Sequence, residues 1–261
     1  GGTTMDAMEA FLAYAGRYDA DNTKIHLKIV HTQAVDAVME RLSGSLGLDA
    51  RMRRLAHLCA VYHDIGRFEQ LKRYDTFLDH LSVDHAQLGC EVLRSGGFLD
   101  GLPEKDRQMV LTAVANHNRL AIEDGLDEET LLLCRMIRDA DKCDIFRVFA
   151  EEDPKDTTGV SAGEAGQEKI SDAVYESLTA RRCVKKEDRV SGLDVWVSFF
   201  GFLYDLNFPE SLRIVREHSY YKKRFEELKI EDGETRRRAE TILAEAEAYM
   251  DEMERNWRKD G

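Results

Sequence analysis

The sequence predicts an all-α protein, and three observations support this prediction. Only three prolines occur in 261 residues, so long stretches contain no residue that would interrupt a helix. Apolar residues recur at three- and four-residue spacing in successive segments, which is the period of an amphipathic helix. No segment alternates convincingly between apolar and polar residues as a strand would, and no internal repeat is evident. We therefore expect a helical bundle that is extended at its C-terminal end by further helices.

The first half of the chain divides into helices at capping and breaking residues. A short helix is predicted over about 6–17, and a longer amphipathic helix ends at Ser43-Gly44. Asp49 can cap the next helix, which is expected to end near Gly66. Residues 68–81 have no clean period, so we expect a long loop with helical turns there. Further helices are predicted from about Asp84 to Ser95, from Pro103 to about His117, and from a cap at Asp127 to about Ala150.

The second half begins with a linker and continues as helices. The linker is rich in Asp, Gly, Thr and Glu. Helices are then predicted over 174–180, 193–206, 209–228 and 235–257. We expect three parts: a helical core with the functional site over 5–150, a loop or linker over 151–167, and C-terminal helices over 168–260 that pack on the core. The opening Gly-Gly-Thr-Thr is interpreted as a tag remnant and plays no part in the predicted fold.

Charge and composition restrict the classes of partner. The net charge of −13 argues against a general nucleic-acid surface, because phosphate backbones require clustered Lys and Arg. A small anionic substrate held by a bound cation remains compatible with that charge. No apolar segment approaches the ~18–20 residues of a membrane span, so no membrane partner is expected. Five widely spaced cysteines without a C-x-x-C pair are typical of reduced core residues in a cytoplasmic protein. The sequence predicts no oligomeric state.

Ionisable side chains lie on the apolar faces of separate predicted helices. Asp141, for example, lies between Ile137 and Ile145, four residues to either side. A buried carboxylate is costly, so Asp141 must be protonated, paired or bound to a metal ion. Three histidines occupy comparable positions: His31, His85 and His117.

Each of these residues alone is compatible with an ordinary hydrogen-bonded or ion-paired core group. Together with the adjacent pair His63-Asp64, a shared metal centre is the simpler explanation, because helical bundles build such centres from inward-facing side chains. Mixed imidazole and carboxylate ligands suit Mn, Fe, Zn, Ni or Co.

The order His31 … His63-Asp64 … Asp141 resembles the HD-domain superfamily of metal-dependent phosphohydrolases. The segments His-Asp-Ile-Gly at 63–66 and Asp-Ala-Asp-Lys at 139–142 are close to that family's motifs, and the resemblance covers roughly residues 24–150. It implies the HD-domain helical bundle. It also implies that His31, His63, Asp64 and Asp141 bind one metal ion. His85 and His117 match the additional histidines of two-metal members, in which Asp64 would bridge both ions.

The sequence departs from several branches of that superfamily. The residues after His117 lack the Gly-Tyr-Pro signature of the members that cleave cyclic-di-GMP, so that substrate is disfavoured. The His63-Asp64 pair is not followed by the Glu-Asp dyad of the alarmone hydrolases. Asn118 stands where some relatives carry a second histidine, which would leave the second metal ion with fewer protein ligands.

The resemblance implies a metal-dependent hydrolase that cleaves a small phosphomonoester or phosphodiester with a metal-activated water, and a nucleotide is one candidate substrate. The expected cofactors are two divalent ions per chain, drawn from Mn, Fe, Ni, Co, Zn and Mg. We expect Asp64, Arg67 and Lys142 to act in catalysis. Arg67 follows His63 by four residues, so a continuing helix would aim it at the same pocket, unless it forms a surface salt bridge. Lys142 follows Asp141 and can pair with a phosphate or with a nearby acid.

Two alternatives retain the fold but change the chemistry. Some two-metal members of this superfamily are di-iron oxygenases, and their ligand set resembles the one predicted here. The third possibility is a non-catalytic regulatory HD domain, against which the intact set of six ligands argues. Metal identity separates the first two alternatives, since two irons with oxygen consumption indicate the oxygenase.

Overall fold

The structure, a computed structural model, describes residues 6–260, and helices are the only regular secondary structure in that range. The predicted all-α class is therefore confirmed. The opening Gly-Gly-Thr-Thr and Met5 lie outside the described residues. The chain divides into two compact units, one ending at Asp141 and the other beginning at Lys142. This boundary falls inside a helix and nine residues before the end of the predicted core at 150.

The first unit is built from helices that pack in neighbouring pairs. Helix α2 packs on α3, α3 packs on α6, and α5 packs on both α4 and α6. The helices are α1 (Ala7–Ala15), α2 (Thr23–Ser45), α3 (Ala50–Tyr62), α4 (Gly66–Tyr74), α5 (His85–Ser95), α6 (Glu104–Asn116) and the first part of α7 (Glu128–Glu151).

Two predicted helix caps are formed as expected. The Asp49 carboxylate accepts a hydrogen bond from the backbone N–H of Met52 at 2.8 Å. The Asp127 carboxylate accepts from the backbone N–H of Thr130 at 2.8 Å. Each cap satisfies one of the N–H groups that the first turn of a helix leaves unpaired, which is why these two positions marked helix starts in the sequence.

The predicted loop over 68–81 was wrong in its first half. Residues up to Tyr74 belong to α4, which buries Phe68 and Leu71 and ends where Asp75 adopts a left-handed conformation at φ 54°. The helix has only nine residues, too few for its apolar side chains to establish a period. The irregular part of 68–81 begins after Tyr74 and contains a 3-10 turn at Asp79–Leu81.

The second unit combines short helices with the 28-residue helix at its C-terminal end, and it departs from the sequence prediction at three places. The predicted linker 151–167 contains two short helices, and the second begins with a capping box between Ser161 and Glu164. The predicted helix 193–206 changes into a 3-10 helix at Phe199. The predicted helix 209–228 is interrupted at Ser219, whose φ is 53°. The elements after α7 are α8 (Pro154–Thr158), α9 (Ala162–Gly166), α10 (Asp172–Thr179), α11 (Gly192–Ser198), α12 (Pro209–Glu217), α13 (Tyr220–Lys223) and α14 (Gly233–Asp260), with 3-10 turns at Lys186–Asp188, Phe199–Asp205 and Phe225–Glu227.

Two further observations bear on the compositional predictions. Among residues 6–260, no helix is both long enough and apolar enough to cross a membrane. None of the five cysteines, all of which lie within residues 6–260, forms a disulfide. Four of them are buried, whereas Cys183 is partly exposed and so is not the core residue that the sequence predicted.

Candidate metal centre

Most of the six predicted ligands lie at or next to helix ends. His63 and Asp64 occupy the turn between α3 and α4, His85 is the first residue of α5, and His117 follows the last residue of α6. Two ligands lie in helix interiors, His31 in α2 and Asp141 in α7.

Four of the ligands form one group, here called the first cluster: His31, His63, Asp64 and Asp141. The His31 Nε2 lies 2.9 Å from the Asp141 Oδ1 and 3.3 Å from the His63 Nε2. The same Asp141 oxygen lies 3.3 Å from the His63 Nε2. The Asp64 Oδ2 completes the group at 3.6 Å from both imidazole nitrogens.

The remaining ligands form a second cluster around the other oxygen of Asp64, and its members are Asp64, His85 and His117. The Asp64 Oδ1 lies 3.3 Å from the Nε2 atoms of both histidines. Those two nitrogens are 3.1 Å apart. One carboxylate therefore faces both clusters, with a different oxygen turned toward each.

Hydrogen bonds on the outer side of the imidazole rings fix which nitrogen faces inward. The His63 Nδ1 donates to the Ala60 carbonyl, and the His117 Nδ1 donates to the Val114 carbonyl, each at 2.7 Å. Both carbonyls belong to the last turns of α3 and α6, where a helix leaves its acceptors unpaired. The His85 Nδ1 lies 2.7 Å from a carboxylate oxygen of Asp79 and must likewise donate. In neutral rings all three Nε2 atoms therefore carry lone pairs directed at the clusters.

This orientation makes the second cluster a set of acceptors without a donor. The lone pairs of the His85 and His117 Nε2 atoms converge on the ionised Asp64 Oδ1, and such an arrangement repels itself unless a cation lies among the three atoms. Ligands about 2.1 Å from a metal ion are separated from one another by about 3.0 Å in an octahedral site and about 3.4 Å in a tetrahedral one. The separations of 3.1–3.3 Å match these edges. The donor set therefore fits a divalent transition metal ion.

The two carboxylates of the clusters remain ionised despite their surroundings. Burial raises the pKa of Asp64, but His63, Lys28 and the other histidines outweigh burial and hold that pKa well below its ordinary value. Burial likewise raises the pKa of Asp141, and the neighbouring imidazoles of His31 and His63 more than reverse the effect. Both groups therefore offer a full negative charge to a bound cation at neutral pH.

Asp141 is less deeply buried than its sequence neighbours predicted. Its side chain is 15% exposed, and Ile145 on the same stripe is partly exposed, whereas Ile137 is fully buried. The first cluster is therefore open to solvent at the Asp141 carboxylate. Such an opening is compatible with entry of a small substrate, because catalytic metal sites keep a position free of protein ligands.

Lys28 borders the first cluster and was missed in the sequence. Its ammonium lies 3.4 Å from the Asp64 Oδ2 and 5.2 Å from the centre of the Phe77 ring. Burial lowers the pKa of Lys28, against the opposing effect of Asp64 and Asp141. A signal was available, because Lys28 precedes His31 by three residues and so shares its face of α2.

Asp79 supports His85 and was also missed. Its carboxylate accepts hydrogen bonds from the His85 backbone N–H at 3.2 Å and from the His85 Nδ1 at 2.7 Å. A carboxylate behind a ligating histidine fixes the ring orientation and raises its basicity. Asp79 lies in the irregular connection between α4 and α5, so no periodic pattern marked it.

Arg67 lies against Asp79. Its Nη1 donates to the Asp79 Oδ1 at 3.0 Å, to the Phe77 carbonyl at 2.6 Å and to the Gln70 Oε1 at 2.9 Å. Its Nε is buried without a hydrogen-bond partner among the described residues. In the structure Arg67 therefore braces the carboxylate that holds His85, and its expected contact with a phosphate remains a prediction.

Lys142 lies beside Asp141 in the chain, but its ammonium is engaged elsewhere. The Nζ atom lies 2.8 Å from the Asp205 Oδ2 and 5.8 Å from the centre of the Phe202 ring. The sequence left a phosphate and a nearby acid as alternative partners of Lys142. The structure pairs it with the acid, and a catalytic role remains a prediction.

Close backbone packing brings α5 to the second cluster. A Cβ atom built on Gly66 would lie 2.2 Å from the His85 carbonyl oxygen and 2.6 Å from the Gly89 backbone nitrogen. Only glycine permits this approach. Gly66 follows the ligand pair by two residues, so the approach holds the start of α5, and with it His85, next to Asp64.

Two polar residues secure the other end of the second cluster. Arg138, one turn before Asp141 on α7, donates to the carbonyls of Asn116 and Arg119 that flank His117. The Asn118 amide donates to the Asp84 carboxylate, which caps α5 at the backbone N–H of Ala86. Asn118 therefore links the end of α6 to the start of α5, although it stands where some relatives would carry another histidine.

Comparison with known proteins identifies one family. A family model described as "HD domain" matches residues 29–145, a range that contains all six predicted ligands. No curated protein and no solved structure matches the chain.

Proposed function

Starting from the premise that residues 29–145 belong to the HD-domain family, we propose that this protein is a phosphohydrolase that uses two divalent metal ions. The match to an HD domain supports the proposal, because that domain is typical of a superfamily of metal-dependent phosphohydrolases. The observation that carries the two-metal proposal is the position of Asp64, whose Oδ2 faces His31 and His63 while its Oδ1 faces His85 and His117. A carboxylate in this position is suited to bridging two cations.

Each cluster would hold one ion with the ligands that it already presents. The first would use His31, His63, Asp141 and the Asp64 Oδ2, and the second would use His85, His117 and the Asp64 Oδ1. Cations bound in both clusters would supply water activation near neutral pH and charge neutralisation on a phosphoryl group. Imidazole and carboxylate ligands suit Mn, Fe, Ni, Co and Zn, and Mg is a further candidate.

The side chains of this chain prepare the site in three ways. The outward Nδ1 hydrogen bonds hold the imidazole lone pairs toward the clusters. The ionised Asp64 and Asp141 supply the negative charge that binds cations, since both pKa values are well below the ordinary value. The near-complete burial of the four histidines limits the competition of bulk water with the substrate.

The substrate that we propose is a small phosphomonoester or phosphodiester, a class that includes nucleotides. The net charge of −13 disfavours long nucleic acids, while cations bound in the clusters would make the site locally attractive to a phosphate group. The proposed location is the cytoplasm, on the basis of cysteines that form no disulfide. Arg67 and Lys142 are retained as proposed catalytic residues that bind the substrate.

The decisive experiment combines metal analysis with a substrate panel. The protein is freed of metal, reloaded separately with Mn, Fe, Ni, Co, Zn or Mg, and assayed on 4-nitrophenyl phosphate, bis(4-nitrophenyl) phosphate and nucleotides. We expect up to two ions per chain and phosphate-ester hydrolysis that is lost in Asp64→Asn. An absence of hydrolysis with every metal would refute the proposal.

The same preparations test the two alternatives. A di-iron oxygenase would bind two irons, consume oxygen and leave phosphate esters intact. A regulatory domain would bind metal ions without turnover of any substrate.

A further inference from the structure

We infer that Lys28 is a substrate-binding residue, which donates a hydrogen bond to a terminal phosphate group at the edge of the first cluster. The inference rests on the proposed function for its class of substrate. It goes beyond the metal ligands because it assigns a role to a side chain that binds no metal, and because it favours a phosphomonoester over a phosphodiester.

The position of the Lys28 ammonium is the first argument. The Nζ atom lies 3.4 Å from the Asp64 Oδ2, the oxygen that also lies 3.6 Å from the Nε2 atoms of His31 and His63. Lys28 therefore lies next to the first cluster, in addition to sharing helix α2 with the predicted ligand His31. Its side chain is 17% exposed, so most of the Lys28 side chain is shielded from water.

The surroundings of Lys28 provide the second argument. The Phe77 ring lies 5.2 Å from the Lys28 Nζ and 5.5 Å from the Arg67 guanidinium carbon. The Arg67 charge is balanced by Asp79 at 3.0 Å. Lys28, by contrast, contacts Asp64, which is a carboxylate that both clusters share.

Charge balance connects these observations. Asp64 and Asp141 together with Lys28 carry a single net negative charge, which two divalent cations would turn into a clear excess of positive charge. The Asp64 oxygen would then be engaged by a metal ion, and the buried ammonium would require another anion. A substrate phosphate bound between the cations and Lys28 supplies that anion.

The number of phosphate oxygens distinguishes the two ester classes. A phosphomonoester has three oxygens that are free of ester bonds and carries up to two negative charges. A phosphodiester has two such oxygens and one charge. Two metal ions and one ammonium are three cationic partners, so the arrangement suits the monoester.

The test measures binding of inorganic phosphate, the common product of monoester hydrolysis, to Mn-loaded protein by isothermal titration calorimetry. Dimethyl phosphate is the comparison ligand, because it presents the diester's two free oxygens. The variants are Lys28→Met, Lys28→Arg and the control Lys24→Met. Lys24 lies one turn earlier on α2 and is exposed. Metal content is determined for every sample, and hydrolysis is assayed separately.

We expect Lys28→Met to keep its metal and to bind phosphate roughly 10- to 100-fold more weakly, the range for a lost hydrogen bond to a charged group. Binding of dimethyl phosphate should change much less. Lys28→Arg should retain most of the phosphate affinity, and Lys24→Met should match the parent protein.

Three results would overturn the inference: no phosphate binding by the parent protein, equal phosphate affinity in Lys28→Met and the parent, or loss of metal in Lys28→Met. The outcome for the proposed function is separate. Phosphate binding that depends on Lys28, in a protein that hydrolyses no ester, would support the inference while refuting the phosphohydrolase. Ester hydrolysis with unchanged phosphate binding in Lys28→Met would do the reverse.

Discussion

The predicted metal ligands differ in how many of the two clusters each one faces. Asp64 contacts four histidines through its two oxygens, whereas His85 faces only the second cluster. We therefore expect Asp64→Asn to lose metal from both clusters and His85→Ala to lose it from the second alone, because the first keeps all four ligands. Elemental analysis of variants reloaded with Mn decides the matter. Two ions retained by His85→Ala would contradict the assignment of the second cluster.

Asp79 acts on the second cluster without belonging to it. In the parent protein the Asp79 carboxylate accepts a hydrogen bond from the His85 Nδ1 at 2.7 Å. The substitution Asp79→Asn removes the negative charge of that carboxylate. We expect metal affinity of the second cluster to fall about 10- to 100-fold, the usual effect of losing a carboxylate behind a ligand. The matched control is Asp75→Asn in the same connection, since Asp75 is exposed. Competition titration with a chelator measures the two affinities, and equal affinities in both variants would argue against this role.

At the scale of elements, the contact between α4 and α5 positions His85. Gly66→Ala would force apart two backbone segments, because the added methyl group would lie 2.2 Å from the His85 carbonyl oxygen. We expect lower thermal stability and loss of the second metal ion before the first. Gly44→Ala is the control, since a Cβ at Gly44 meets no atom within 4 Å. Thermal unfolding and metal content are the measurements. A Gly66→Ala protein with two ions and an unchanged midpoint would show that the contact is unimportant.

The contact between α2 and α3 carries a pH-dependent ion pair. The His57 Nδ1 lies 2.7 Å from the Asp36 Oδ1, and this hydrogen bond raises the pKa of His57 above its ordinary value of 6.5. Because the folded pKa is the higher one, the stabilisation is complete below pH 6.5 and is lost as the pH rises through the folded value.

We expect the parent to exceed His57→Gln in unfolding free energy by about 0.5–1 kcal/mol at pH 5.5, a range suited to a partly exposed pair. The difference should shrink by pH 8.5. Urea unfolding at the two pH values measures it, with His26→Gln, at an exposed position on α2, as the control. A difference that grows toward pH 8.5 would contradict the assigned direction.

At the scale of the whole molecule, the predicted ligands are confined to the first of the two compact units. Metal binding should therefore stabilise that unit directly. At a free Mn concentration of 100 times the dissociation constant, the expected gain is about 2.7 kcal/mol. Hydrogen exchange should slow in α2, α3 and α6 and change much less in α14. Asp64→Asn provides the control, and an equal response in that variant would indicate binding elsewhere.

The sequence by itself determined the helical class and two helix caps, and it named the six predicted ligands that the structure brings together. These properties depend on local signals: apolar periodicity, a carboxylate before a helix and the adjacent pair His63-Asp64. Even Lys28 carried such a signal, because it lies three residues before His31 on one helix face. The sequence could also name Arg67 and Lys142, but it left their partners open.

Only the tertiary structure decided which groups meet. Asp79 contacts His85 from an irregular connection, and the two oxygens of Asp64 face different clusters. No periodic pattern in the sequence marks either arrangement. The short helix α4 was missed because its nine residues complete too few turns to show one. The break at Ser219 was missed because a single residue with positive φ leaves the surrounding apolar pattern intact. Spacing along the chain fixes which face a side chain occupies, and the partner across the core depends on how the helices pack.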